Sequence, residues 1–472
     1  MKILLASSPV TVFGLDRVTR LPNLGLCSIA GNYDCPDDEI KVLDLVVAKE
    51  PEKTFLEILS SFQPEVVGFS CMIFQFAEIV KLAQLTKNFN NDITTVLGGY
   101  YATVDYDNIF DYQGCDAIDY ILRNECEKSF NDLIKSVKSG IGFENISSLS
   151  YRKNGQISHN PCSGVLDIDK LSLPKRSARI IKKGFHFMGI PADTIETSRG
   201  CPNNCKFCSI TQMYGTSFRT FKIERVLADI QDAKNHGTKL LLFTDDNITI
   251  DGKRYFELCD TIINSGLNDI MYITQASITG IKKTPGLAEK MAEAGVKFVL
   301  IGIENIIKEN LSIAGKSKQN SQADIIEVVN DLRKYGIIVI GSFILGNPND
   351  TEETMIANYE FANETNVDIP FFLLLTPFPK TKIREELLEA GLITNLSDYS
   401  KYDMFQANVR THYLSPERLF ELREEISYRI LKKPSRILRL ILLRPGYLFK
   451  LAIDHIIHHP GEIFNYLKGM FR

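Results

Sequence analysis

No uninterrupted apolar run in this chain approaches the roughly 18 residues that a membrane-spanning helix needs, so the sequence predicts no spanning segment. The opening Met1-Lys2-Ile3-Leu4-Leu5-Ala6-Ser7 is apolar but breaks at Ser7-Ser8-Pro9 without a clear small-residue cleavage site, and is expected to be a first β-strand instead of a secretory signal. Basic charge is not in excess: 54 Lys and Arg stand against 58 Asp and Glu, for a net charge of -4, which removes the electrostatic footprint of a nucleic-acid binder. There is no repeat of fixed period and no low-complexity tract. Histidine is missing before His159. Cysteine is sparse, with ten residues mostly scattered singly, which suits a reducing compartment; the expected location is the cytoplasm.

What is present is 472 residues, 44% hydrophobic, enough for two or three packed domains. Apolar runs at residues 2–5, 39–45, 65–70, 94–99 and 117–122 alternate with amphipathic stretches such as 76–88. That alternation predicts a parallel, doubly wound α/β sheet over residues 1–142, with ligands expected outside the carboxyl ends of its strands. Residues 143–190 are polar, contain Pro174 and a hairpin pattern at 149–157, and are expected to form an ordered linker. A second alternating series follows, with strand runs at 194–197, 239–244, 271–276, 297–302, 337–344 and 370–375. Helical stretches at 223–235 and 287–294 lie between them, so residues 191–385 are expected to form a partial (β/α)6 barrel whose working residues sit at strand C-termini. Residues 386–472 are expected to be a helical C-terminal region.

The one close group of cysteines stands after the first strand of the second series, in Ser198-Arg199-Gly200-Cys201-Pro202-Asn203-Asn204-Cys205-Lys206-Phe207-Cys208. Three thiolates within eight residues suit an iron–sulfur cluster or zinc. A structural zinc site wants four protein ligands, and no fourth Cys or His is near in sequence. Three ligands on a four-iron cluster leave one iron open, as a catalytic site requires.

The Cys-x-x-x-Cys-x-x-Cys spacing, the aromatic Phe207 and the preceding Arg199-Gly200 resemble the radical S-adenosylmethionine (SAM) superfamily. The resemblance implies a [4Fe-4S] cluster on Cys201, Cys205 and Cys208 whose open iron chelates SAM, and a one-electron donor such as flavodoxin or ferredoxin. It also places cofactor contacts at later strand ends. Asp245, Asp246 and Asn247 follow the second strand, where the methionine amino group is met, and Gln275 and Ser277 end the third. Glu304 ends the fourth on the ribose or substrate side, and Gly341 and Gly346 flank the fifth, where backbone can approach an adenine. Asp246 and Glu304 are the expected catalytic groups, and residues 376–381 are expected to border the substrate.

The α/β segment ahead of the barrel resembles the radical SAM enzymes that carry a cobalamin-binding domain, a group that includes C-methyltransferases and anaerobic magnesium-protoporphyrin ester cyclases. The matching pieces are residues 22–26, 66–71, 98–103 and 123–127, with Gly68, Ser70, Gly98, Gly99 and Glu125 as expected corrinoid contacts. The family commonly has His where Tyr101 stands, and a Gly-Glu-Gly-Glu segment where this chain has Asn124-Glu125-Cys126-Glu127. With no His before His159 and no Asp-x-His-x-x-Gly motif, bound cobalamin must be His-off. The expected activity is C-methylation of an unactivated carbon in a small-molecule or lipid substrate. Alternatives are oxidative cyclisation; methylthiotransfer, for which Cys27, Cys35, Cys71, Cys115 and Cys126 offer material for a second cluster; and corrinoid binding without catalysis. From Lys432 onward there are eight Lys or Arg against two acidic residues, with amphipathic stretches at 437–444 and 447–453. Packing on the barrel is the favoured reading of that tail, and peripheral membrane contact the other. His455, His458 and His459 read as a solvated helix end.

Overall fold

The computed structural model describes residues 1–12, 15–316 and 320–430, together with Lys433, Arg436, Leu438 and Arg439. In chain order the first eight strands are β1 (Lys2–Ser7), β2 (Thr19–Arg20), β3 (Glu39–Leu43), β4 (Val66–Ser70), β5 (Thr94–Gly98), β6 (Tyr120–Leu122), β7 (Leu149–Lys153) and β8 (Gln156–His159). They are followed by β9 (His186–Phe187), β10 (Ile190–Ile195), β11 (Ser198–Arg199), β12 (Arg219–Thr220), β13 (Leu240–Phe243), β14 (Met271–Ala276), β15 (Val296–Glu304), β16 (Ile338–Leu345) and β17 (Ile369–Leu374).

The first sheet runs β3-β1-β4-β5-β6-β7-β8. Its first five strands are parallel, and the chain reverses direction of winding beside β1, the kind of switch point where ligands enter such sheets. Strand β1 reads KILLAS with all but Lys2 buried, as a strand covered on both faces must. The hairpin β7–β8 does not stand free in the linker: β7 pairs antiparallel with β6 and extends the sheet.

The second sheet runs β17-β16-β15-β14-β13-β10-β9-β2. Strands β10, β13, β14, β15, β16 and β17 are parallel and form an open half-barrel with helices outside. One edge is closed by β9 and by β2, which comes from the first part of the chain. The N-terminal end of this half-barrel is plugged by Val18, Leu21, Phe187, Met188, Ile190, Phe298 and Ile338, leaving the C-terminal end as the open one. Strand β10 starts at Ile190, ahead of the expected 194, because the polar Asp193 that interrupts the apolar pattern is buried against Arg179 at 2.6 and 2.9 Å. Pairing makes such a charge tolerable inside.

After β17 the helix Lys382–Glu389 is followed by turns and an isolated bridge between Ile393 and Val409, then by the helix Pro416–Ile430. Apart from Leu438 and Arg439, the basic stretches at 437–444 and 447–453 and the histidine trio lie outside the described residues. Among the described residues no helix is long and apolar enough to cross a membrane.

Candidate active site

The cysteine loop leaves the half-barrel through the short antiparallel pair β11–β12. Gly200 has φ +88°, and a Cβ there would sit 2.3 Å from the carbonyl oxygen of Ser217, so only glycine fits between Arg199 and Cys201. All three thiols are free, Cys201 buried and Cys205 and Cys208 half-buried, and all line a cavity of about 680 Å³ at the strand C-termini. Burial pushes each thiol's pKa up, that of Cys208 to about 11, so ligation must displace protons. Among the described residues no three Cys, His, Asp or Glu groups gather as the ligands of a single metal ion. Three thiols on one cavity wall fit instead a cluster that takes one thiolate on each of three irons.

Asp246, Asn247, Gln275, Ser277 and Glu304 line the same cavity, so the fold assembles these distant segments around the cysteines. Glu304 sits at φ +65° beside a register shift between β15 and β16, a strained place for a non-glycine residue, and its carboxylate accepts from Lys316 Nζ at 2.6 Å. Burial lowers the ammonium's affinity for its proton, but Glu304 and the nearby Cys205 more than offset this and hold the Lys316 pKa above its ordinary value. Its Nζ also lies 5.5 Å from the Phe207 ring centre. Asp246 accepts from the Gly200 amide at 3.1 Å, and burial raises its pKa to about 7. Asn247 and Ser277 have second tasks as helix caps, accepting from Thr249 N and Gly280 N. Thr376 and Phe378, in the segment expected to border the substrate, also line the cavity.

Three expected contacts turn away. Asp245 is 1% exposed and does not line the cavity; it accepts from Thr197 N at 3.0 Å, Thr197 Oγ1 at 2.7 Å and the Ser198 hydroxyl, pinning the chain where it enters the cysteine loop. A Cβ on Gly341 would meet Val367 and Ile303, and one on Gly346 would meet Leu419 and Leu374, so both glycines serve packing on the outer side. Strand parity explains Gly341, since Ser342 and Ile344 face the cavity and their odd-numbered neighbours face the helices, whereas Gly346 lies one residue beyond β16 at φ +81°, outside that alternation. Parity in the sequence could have found Ser342. No local pattern marks Lys316 or Asn320, which reach the cavity from the segment after β15. Asp245→Asn is expected to lower the denaturant midpoint by the equivalent of about 2 kcal/mol, because three donors lose a buried carboxylate acceptor; equilibrium unfolding of the apoprotein checks it.

A second cavity, of about 320 Å³, lies between the first sheet and the half-barrel. Gly68, Ser70, Gly98 and Gly99 line it at the carboxyl ends of β4 and β5, with Gly25 and Leu26 from the helix Leu24–Gly31 and Glu125 beyond β6. A Cβ on Gly98 would make ordinary contacts, none closer than 3.7 Å, so the position tolerates a side chain and glycine there leaves unfilled the volume such a side chain would take. No histidine lines either cavity among the described residues. Tyr101 is buried and donates to Asp105 at 2.8 Å, away from the cavity. The five other cysteines of the first segment do not gather: Cys71 and Cys115 are in one core, Cys27 and Cys126 in another, and Cys35 is half-buried near Lys138. Asp246 lines both cavities.

The radical SAM superfamily model matches residues 195–362, and the B12 binding domain model matches residues 10–134. The chain is 27% identical over 461 residues to an uncharacterized methyltransferase of Pyrococcus horikoshii, covering 97% of this chain and 98% of that one. It is 26% identical over 410 residues to the hopanoid C-3 methylase of Methylococcus capsulatus, covering 85% and 75%. Among solved structures it resembles the radical SAM methyltransferase TsrM of Kitasatospora setae, with TM-score 0.70, 17% identity and coverage of 91% and 88%. It also resembles the cobalamin-dependent radical enzyme OxsB, with TM-score 0.72, 15% identity and coverage of 97% and 75%. With the two models falling on the two sheets and the three cysteines opening the second, the chain carries an N-terminal B12-binding domain followed by a radical SAM domain.

Proposed function

We propose that this enzyme transfers a methyl group to an unactivated carbon of an apolar small molecule, with a [4Fe-4S] cluster, SAM and cobalamin as its cofactors. The observation that carries this reading is the pair of adjoining cavities, one holding three thiols and the other a glycine cradle, with Asp246 in the wall of both. Cys201, Cys205 and Cys208 would hold the cluster, and Asp246, Asn247, Gln275, Ser277, Glu304 and Lys316, which line the same cavity, would orient SAM. Gly68, Ser70, Gly98, Gly99 and Glu125 would hold the corrinoid. When bound, these groups supply reductive cleavage of SAM, fed by a one-electron donor such as ferredoxin or flavodoxin, and a methyl carrier.

The chain's own part is to orient and to exclude water. Lys316 and Glu304 neutralise one another beside the cysteines, so that neither is a bare buried charge. Leu300, Ile344, Leu373, Leu375, Phe378 and Met404 give the first cavity apolar wall, and the charged groups on its walls are Asp246, Lys283, Glu304 and Lys316. A substrate lying against β17 therefore meets hydrocarbon, which favours an apolar, lipid-like carbon skeleton over an ionic one.

The test is anaerobic turnover with methyl-labelled SAM, a reductant, hydroxocobalamin and a cell lipid extract. Label is expected in the organic phase as a carbon-bound methyl group. Label confined to water-soluble products would overturn the apolar substrate. SAM cleavage with an altered substrate but no label would favour oxidative cyclisation over methylation.

A further inference from the structure

The cysteine loop belongs to the half-barrel, yet both of its ends are held by side chains from the first sheet's domain. Ahead of the cysteines, Arg199 donates to Glu125 Oε1 at 2.9 Å and to Glu127 Oε1 at 2.6 Å, besides Glu196 at 2.7 Å within the half-barrel. Beyond them, the Tyr100 hydroxyl donates to Ser209 Oγ at 3.0 Å, next to Cys208. Asn124 Nδ2 donates to the carbonyl oxygens of Gln212 and Met213, both at 3.1 Å, at the end of the helix Ile210–Tyr214. Asn124 adopts φ +61°, a conformation asparagine tolerates better than most residues, and this directs its amide across the boundary.

The charged anchors are not surface pairs. The side chains of Glu125, Glu127 and Arg199 are 3%, 6% and 7% exposed, and Arg219 Nη1 adds a contact to Glu125 at 2.9 Å. Asn124, Glu125, Glu127, Arg199, Met213 and Tyr214 also line the second cavity. The same side chains thus finish the corrinoid wall and fix the cysteine loop.

We propose that Tyr100, Asn124, Glu125 and Glu127 are positioning residues for the cysteine loop, so that filling the second cavity and loading the cluster favour one another. This rests on the corrinoid reading above. A loop ordered by its cluster presents Arg199, Met213 and Tyr214 as a finished wall. A ring in the cavity packs against Arg199, Glu125 and Glu127 and holds them in the arrangement that fixes the loop. Linkage makes the two effects equal in free energy.

The test titrates hydroxocobalamin, followed by absorption under anaerobic conditions, into cluster-loaded protein and into the same protein stripped of iron. The wild type is expected to bind about tenfold more tightly with the cluster present. Hydroxocobalamin should likewise slow removal of cluster iron by a chelator. In Glu125→Gln and Tyr100→Phe the affinity ratio should shrink toward one, an effect that a general loss of stability does not produce. Tyr100→Phe removes one hydroxyl and keeps the question answerable if Glu125→Gln folds poorly. Equal affinities in the wild type would overturn the linkage while leaving the corrinoid reading intact. An undiminished ratio in both variants would overturn the assignment of these residues. Failure of the wild type to bind hydroxocobalamin at all would sink the corrinoid reading and this proposal with it.

Discussion

Replacing Cys201, Cys205 or Cys208 by alanine is expected to reduce cleavage of SAM by about a thousandfold or more, because the cofactor carries the chemistry and the chain has no substitute for it. Iron in the reconstituted protein should fall from about four per chain to well under one. The three thiols lie on a loop after β11, and none of them belongs to the two largest apolar cores. The variants should therefore fold, with circular dichroism and elution volume unchanged. Cys259→Ala is the control: that thiol is 1% exposed in the half-barrel core, so its loss costs about 1 kcal/mol of packing and leaves iron and cleavage near the wild-type level. If a loop variant kept both its iron and its cleavage activity, the cluster assignment would fail.

Much of this layout was legible in the sequence, for a physical reason. Parallel strands covered on both faces must be apolar throughout, so runs such as Val66-Val67-Gly68-Phe69 and Phe298-Val299-Leu300-Ile301 announce themselves without any knowledge of their neighbours. The cysteine trio is a local pattern for the same reason that a cluster on a loop needs close spacing. What the sequence hid was direction and distance. Asp245 and Asp246 are adjacent, and only the fold shows that one is swallowed by Thr197 and Ser198 while the other faces both cavities. Gly341 and Gly346 have the composition of a ligand cradle, but their missing side chains face Val367 and Leu419. The Arg199–Glu127 contact joins residues 72 apart in sequence, and the Tyr100–Ser209 contact residues 109 apart. No window of local sequence contains either partner pair.

Gly98→Val is expected to separate the two cofactors. The glycine ends β5 with an ordinary backbone conformation, and a Cβ at this position makes only normal contacts, 3.7 Å from Phe69 O and 3.8 Å from Leu122 O. Gly99, by contrast, has φ +90°, and its Cβ would press to 2.7 Å from Ser70 Oγ, so substitution there strains the backbone before it reaches any ligand. Valine at 98 therefore leaves the fold in place and puts two methyl groups into the cavity proposed for the corrinoid. Hydroxocobalamin affinity should fall about a hundredfold or more, since overpacking of a close-fitting site is not relieved by small shifts. Iron should stay near four per chain with excess iron and sulfide, and reductive cleavage of SAM should stay within about tenfold of wild type, the range that linkage between the two cavities allows. Cleavage without methyl transfer would then be the signature of an intact radical site deprived of its methyl carrier. Unimpaired hydroxocobalamin binding by Gly98→Val would place the corrinoid elsewhere, and the glycine cradle would be a packing feature of the first sheet.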